Sequence, residues 1–142
     1  MDINPALVVV TFNRPESLKR LLDSLNNAYY NEYNVPLIIS IDYQNSIQHN
    51  EVVEIAENFK WTFGKKTIIN HVENLGLKKH VLKCGDLVYD YDSIIMLEDD
   101  LFVSQEFYTT TIQLLNFYKS DDRIAGVSLY THKKNFFKYI SF

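Results

Sequence analysis

Polar and apolar positions along this chain switch between two periods. Short, nearly unbroken apolar runs predict strands buried on both faces, and the stretches between them repeat their apolar residues at helical spacing. The first run, Ala6 to Thr11 (ALVVVT), leads through Asn13 and Arg14 to Pro15, after which Leu18, Leu21, Leu22 and Leu25 fall at i, i+3, i+4 and i+7. Pro15 suits the first turn of that helix, where a missing N–H costs no hydrogen bond. Leu37 to Ile41 (LIISI) predicts a second strand ended by Asp42, and Val52, Val53, Ile55, Ala56 and Phe59 mark a second helix. Thr67 to Val72 (TIINHV) predicts a third strand. Beyond the turn formers Asn74 and Gly76, Leu77, Val81, Cys84 and Val88 outline a third helix, which Gly85 weakens near its end. Ser93 to Leu97 predicts a fourth strand, and Phe107, Thr111, Leu114, Leu115 and Tyr118 a fourth helix with Ser104 as its N-cap and Glu106 in its first turn. Ile124 to Tyr130 (IAGVSLY) predicts a fifth strand.

Repeated βα units of this kind imply an α/β fold, a mostly parallel sheet with helices on both faces. No internal repeat, linker or low-complexity segment divides residues 1–142, so one domain is expected. The final KKNFFKYISF has no evident place in the sheet, and the C-terminus reads as a cut through a longer fold.

Composition narrows the function. A net charge of -4 with scattered Lys and Arg argues against nucleic acid, whose phosphates call for concentrated cations. The ten tyrosines, spread along the chain, suit a core and its rim better than base stacking. A single cysteine, Cys84, excludes an internal disulfide and any cysteine-rich zinc site, and fits a reducing compartment. The longest N-terminal apolar run, Ala6 to Val10, is too short for a signal peptide or a membrane span. A cytoplasmic location is expected, or one peripheral to a membrane.

Candidate chemistry gathers where open parallel sheets bind ligands, at the carboxyl ends of the strands. Strand one ends in Thr11, Asn13 and Arg14, strand two in Asp42 and Gln44, strand three in Asn74 with Lys78 and Lys79, and strand four in Glu98, Asp99 and Asp100. Three successive acids repel one another unless a cation joins them. Strand alternation would put Glu98 and Asp100 on one face and Asp99 on the other, and two converging carboxylates suit Mg²⁺ or Mn²⁺, hard ions that leave coordination positions for phosphate oxygens. An acidic start to a solvated loop is the plainer alternative. Arg14 beside a helix start suits a phosphate or a base edge, or is simply a surface arginine. Asp42 could accept from a base imide or a ribose hydroxyl, or serve the turn that follows. Lys78 and Lys79 at a helix start are unfavourable to its dipole unless an anion is near, or else lie on its exposed side. The four histidines, His49, His71, His80 and His132, lack ligand spacing and read as packing or surface residues. No GxGxxG, P-loop or GxSxG signature occurs.

In order, VVVTFNRPESLKRLLDSL, LIISID, ENLGLKKHVLKCGDLV and IIMLEDDLFVSQEFY resemble the nucleotide-sugar-binding half of GT-A-fold glycosyltransferases. The acidic EDD resembles that of the N-acetylglucosaminyltransferase I type, and the ENLG segment that of family-2 glycosyltransferases. The likeness spans about residues 5–130. It implies a Rossmann-like GT-A domain, incomplete on the acceptor side, that uses a UDP-sugar donor, a glycan or other acceptor, and Mn²⁺ or Mg²⁺. It implies that Asp100, in the DXD-like motif, contacts the metal bridging the donor phosphates, while Glu98 and Asp99 orient the sugar and water. Arg14 and Asp42 would hold the uridine and phosphates, Thr11 would lie beside the base, and Lys78 or Lys79 near the diphosphate. Residues Thr131 to Phe142 depart from the acceptor-side pattern, so no general base is identified. The alternatives are a sugar-nucleotide nucleotidyltransferase, which usually carries a glycine-rich loop where this chain has TFNRPES, and a non-catalytic donor-binding remnant or phosphoacceptor domain.

Overall fold

The computed structural model describes residues 3–31 and 33–129 of the chain. Its elements run β1 (Ala6–Thr11), α1 (Pro15–Asn26), β2 (Leu37–Ile41), α2 (Ile47–Asn58), β3 (Lys66–Asn70), α3 (Leu77–Gly85), a 3₁₀ turn (Asp86–Tyr89), β4 (Ile94–Glu98) and α4 (Phe107–Tyr118). Four parallel strands form one sheet in the order β3-β2-β1-β4, so the most apolar strand lies between two partners.

Strand alternation divides the core into two layers. Leu7 and Val9 of β1 and Leu37, Ile39 and Ile41 of β2 join the cluster that holds the four α1 leucines and residues of α2 and α4. Ala6, Val8, Val10 and Ile38 face the other way and pack with Cys84 of α3. Leu18, Leu21, Leu22 and Leu25 are almost wholly buried, and each contributes about 1.5–3 kcal/mol of transfer free energy. An aromatic group near the amino ends of β1 and β2 completes the first layer. Tyr30 packs within 5.2 Å of Trp61 and Tyr108 and 4.6 Å of Phe63. Their polar tips are satisfied, with Trp61 Nε1 donating to the Val35 carbonyl and the Tyr108 hydroxyl to that of Pro5. Gly64 is obligatory there, because a Cβ would lie 2.3 Å from the Val35 oxygen. Tyr30 and Tyr108 at this end are core, as the spread of tyrosines in the sequence implied.

Several boundaries differ from the pattern-based expectation. Ile124 to Leu129 form no strand, and Tyr130 lies outside the described residues. Ile124 and Leu129 stay 42% exposed, so this segment gains neither ladder hydrogen bonds nor burial that would offset ordering it. Helix α4 begins after Glu106 with no side-chain cap, so Ser104 is not its N-cap and supplies only a carbonyl to the Phe107 amide. Helix α2 starts earlier than its apolar residues suggest, because the Ser46 hydroxyl accepts from the His49 amide. Gly85 ends α3 and the chain continues as the 3₁₀ turn. The closing KKNFFKYISF and His132 lie outside the described residues. No described helix is long and apolar enough to cross a membrane.

Candidate donor-binding site

The site forms where the ladder runs one residue past the strands. The Asp42 amide donates to the Thr11 carbonyl (3.0 Å) and the Asp99 amide to that of Val10 (3.1 Å). Thr11, at the end of the central strand, therefore has Asp42 on one side and Asp99 on the other. Its hydroxyl donates to Asp99 Oδ2 at 2.8 Å, with both residues buried.

Arg14 completes this half. It occupies the N-cap of α1 without capping it, because a guanidinium has no acceptor to offer the first-turn amides, and Pro15 begins the helix. Its guanidinium lies 3.9 Å from Asp99 and 3.7 Å from Asp100. The side chain is 61% exposed, so solvent screens the pair and the attraction orients more than it stabilises. Burial pushes the Asp99 carboxyl up from its ordinary value; the Thr11 hydroxyl, Arg14 and the Phe12 amide hold it down, and neighbouring Asp100 adds to the rise.

Alternation was expected to pair Glu98 with Asp100 and send Asp99 away, and the structure reverses this. Strand β4 ends at Glu98, and a turn closed by the Leu101 amide on the Glu98 carbonyl (3.1 Å) carries the next two residues. Outside the strand the two-residue period no longer holds, and Asp99 and Asp100 both face Arg14. Glu98 is exposed and has no ion pair among the described residues. The repulsion among the acids is thus already eased by an arginine before any metal is considered.

Asp42 is also more committed than expected. Its carboxylate, 3% exposed, accepts from the amides of Tyr43 (2.9 Å), Leu75 (2.8 Å) and Gly76 (3.1 Å). It therefore ties the β3–α3 turn to the end of β2. Gly76, with φ of +74° and ψ of 156°, has a backbone that side-chain-bearing residues avoid, which accounts for the glycine of ENLG. Lys78 and Lys79 are exposed in the first turn of α3 and form no ion pair among the described residues. The structure brings Thr11, Arg14, Asp99 and Asp100 together and joins Asp42 to them through the ladder. It leaves Glu98 and the two lysines at the surface.

Three further contacts were not foreseen. Arg20, a turn and a half into α1, donates to the Asp100 carbonyl at 3.2 Å. Asn13 donates to Gln44 at 2.8 Å, closing the β1 and β2 ends across the site. Ser40 lies between His71 and His80. The sequence carries a partial signal only for Asn13 and Gln44, which both follow strand ends.

The residues fit a divalent cation in one sense only. Asp100 offers a carboxylate whose side chain is 52% exposed, a hard oxygen donor open to an incoming ligand. Among the described residues no group of three or more His, Cys, Asp or Glu side chains is arranged to hold a metal by itself. A cation here would take most of its ligands from a bound diphosphate and water, as Mg²⁺ and Mn²⁺ commonly do.

A parallel sheet with helices on both faces and an acidic, arginine-bearing carboxyl edge defines a GT-A-type α/β domain. The sequence profile of glycosyl transferase family 2 matches residues 6–141, and the chain belongs to that family. The match extends beyond residue 130 and supports the family-2 side of the resemblance rather than the N-acetylglucosaminyltransferase I type. Among solved structures the fold is similar to S. aureus TarS, with a TM-score of 0.62 and 15% identity over 93% of this chain and 24% of that one. TarS 1-349 in complex with UDP gives 0.61 and 15% over 84% and 34%, and the same protein in complex with UDP-GlcNAc gives 0.57 and 14% over 82% and 32%. The chain therefore spans about a quarter to a third of the length of these neighbours. No curated protein matches the sequence.

Proposed function

We propose that residues 1–142 form the donor-binding domain of a glycosyltransferase that takes its sugar from a nucleoside-diphosphate sugar, a UDP-sugar, and passes it to a glycan-type acceptor. The observation that carries this reading is the convergence of Thr11, Arg14, Asp99 and Asp100 at the end of the central strand, with Asp42 beside them. Family membership and the UDP and UDP-GlcNAc complexes of TarS support it.

On this reading Asp42 and Thr11 lie at the uridine end and Arg14 at the phosphates, where its planar donor fork matches phosphate oxygens. Lys78 and Lys79, exposed at the start of α3, add positive charge on the diphosphate side. Asp100 would hold the Mn²⁺ or Mg²⁺, which when bound neutralises charge developing on the departing nucleoside diphosphate. Asp99 keeps Arg14 and Thr11 in place and, with the exposed Glu98, orients the sugar and nearby water. The nucleotidyltransferase reading finds no matching loop, since the β1–α1 turn, Phe12 to Arg14, contains no glycine. The site opens to solvent through the exposed Arg14 and Asp100 side chains above buried Thr11, Asp42 and Asp99, which suits action in the cytoplasm or at a membrane surface.

Calorimetric titration with UDP, with and without Mn²⁺, tests the proposal. Metal-dependent binding by the wild type and its loss in Asp100→Ala are expected. Absence of wild-type binding, or unchanged binding in the variant, refutes it.

A further inference from the structure

The segment from His71 to His80 runs from the end of β3 into α3, and among the described residues its hydrogen-bonded anchors outside itself lie in Ser40 to Tyr43. The His71 amide donates to the Ile41 carbonyl, Asn74 Nδ2 to that of Tyr43, and the Leu75 and Gly76 amides to Asp42. The remaining two anchors converge on one hydroxyl: Ser40 Oγ lies 3.2 Å from His71 Nε2 and 2.8 Å from His80 Nε2. Ser40 and His80 are 1% and 2% exposed, and the two rings stand nearly perpendicular with centroids 5.3 Å apart. None of these three residues belongs to the donor contacts described above.

A hydroxyl has one proton to give. Its oxygen can accept twice, so with one ring unprotonated at Nε2 Ser40 donates to that ring and accepts from the other, whereas with both rings cationic it can only accept, and two like charges 5.3 Å apart repel. We infer that Ser40, His71 and His80 form a proton-sharing latch that positions the Asp42-bound turn 74–76, closed in that state and loosened when both rings are cationic. They are positioning residues, acting on the donor site through Asp42 and the start of α3. For its effect on donor binding, the inference rests on the proposed function.

The surroundings favour the closed state near neutral pH. Burial lowers the affinity of both rings for a proton; Asp42, just past β2, partly favours protonation, while Lys83 of α3 opposes it at both rings and His71 opposes it at His80. Cys84 of α3, in the apolar layer of Ala6, Val8, Val10 and Ile38, is a further neighbour of Ser40: burial pushes its thiol up, and a hydrogen bond with Ser40 partly offsets the rise. A histidine that binds protons less well folded than unfolded lends stability that is complete above about pH 6.5 and is lost as the pH falls below that value. The latch therefore opens on the acid side.

Hydrogen–deuterium exchange at the amides of Leu75 and Gly76, corrected for intrinsic exchange and measured near pH 8 and about pH 5.5, reads the latch without any donor. In the wild type, opening should rise at least about threefold at the acid value, with UDP affinity weakened by a similar factor. The double variant His71→Gln/His80→Gln offers amides that do not titrate and should lose this pH dependence, whereas Ser40→Ala should open the turn at both values. A merely structural role would shift exchange equally at both. A wild-type change below about 1.5-fold, or a double variant that keeps the wild-type profile, overturns the latch. Should the double variant not fold, His71→Gln alone, at the half-buried ring, must flatten the profile, and an unchanged profile overturns it equally. If exchange behaves as expected but UDP binds at neither pH, the latch stands and the donor reading falls.

Discussion

Replacing Thr11 with valine removes one proton donor and almost nothing else. The side chains have nearly the same shape and Thr11 is 2% exposed, so packing is conserved while the 2.8 Å hydrogen bond to Asp99 is lost. Asp99 is 7% exposed, which leaves little room for water to replace the hydroxyl, and a hydrogen bond to a charged group contributes about 1.5–3 kcal/mol. Arg14, 3.9 Å away and largely solvated, offsets only a small part. A loss of about 1.5–3 kcal/mol is expected near neutral pH, with a fall in Tm of roughly 3–5 °C per kcal/mol for a chain of this size. The pH dependence has a definite sign. The folded Asp99 carboxyl binds its proton more tightly than an unfolded one, so the stability it lends is greatest below about pH 3.9 and is lost as the pH rises through its folded value. Thr11→Val raises that folded value further, so its penalty grows from acid to neutral pH. Urea denaturation of the wild type, Thr11→Val, Asp99→Asn and the double variant, at about pH 5 and pH 7.5, yields the coupling energy. A coupling of at least about 1 kcal/mol at the higher pH, and no larger at the lower, is expected. Coupling below about 0.5 kcal/mol at both would falsify the pairing.

Asp100→Ala should leave stability within about 0.5 kcal/mol of wild type while abolishing metal-dependent UDP binding, since its side chain is half exposed; a parallel loss of Tm would mark it as structural instead. Asp42→Asn turns one buried acceptor into a donor facing an amide, and about 1–3 kcal/mol should be lost in chemical denaturation, with faster exchange at Leu75 and Gly76. Gly76→Ala meets no atom within 4 Å of its new Cβ, so the whole cost, about 1–3 kcal/mol, must come from backbone strain; a neutral variant would show that the turn adopts another conformation in solution.

The parallel α/β architecture was legible because burial on both faces of β1 and β2 and on one face of α1 leaves direct traces in residue order. Leu18, Leu21, Leu22 and Leu25 predict their own burial through spacing alone. The end of β4 was not legible in this way. Alternation holds only while the backbone stays extended, and the turn after Glu98 depends on a hydrogen bond that residue order does not announce. The failed fifth strand has a related cause, since apolar composition describes what a segment could bury and not whether a partner is there to cover it.

The sequence by itself determined which polar residues arrive at the carboxyl ends of the strands, because each follows an apolar run whose length and direction the fold class dictates. Thr11, Arg14, Asp42 and the acidic triplet were all placed on one edge from their order. Which of them meet was decided only by the tertiary structure. The hydrogen bond from Thr11 to Asp99 spans 88 positions, and those from the Leu75 and Gly76 amides to Asp42 span 33 and 34. Ser40 meets His71 and His80 across 31 and 40 positions. Periodicity reports how a residue relates to its own helix or strand, whereas charge, hydrogen bonding and proton affinity depend on neighbours that register and crossover bring from other strands.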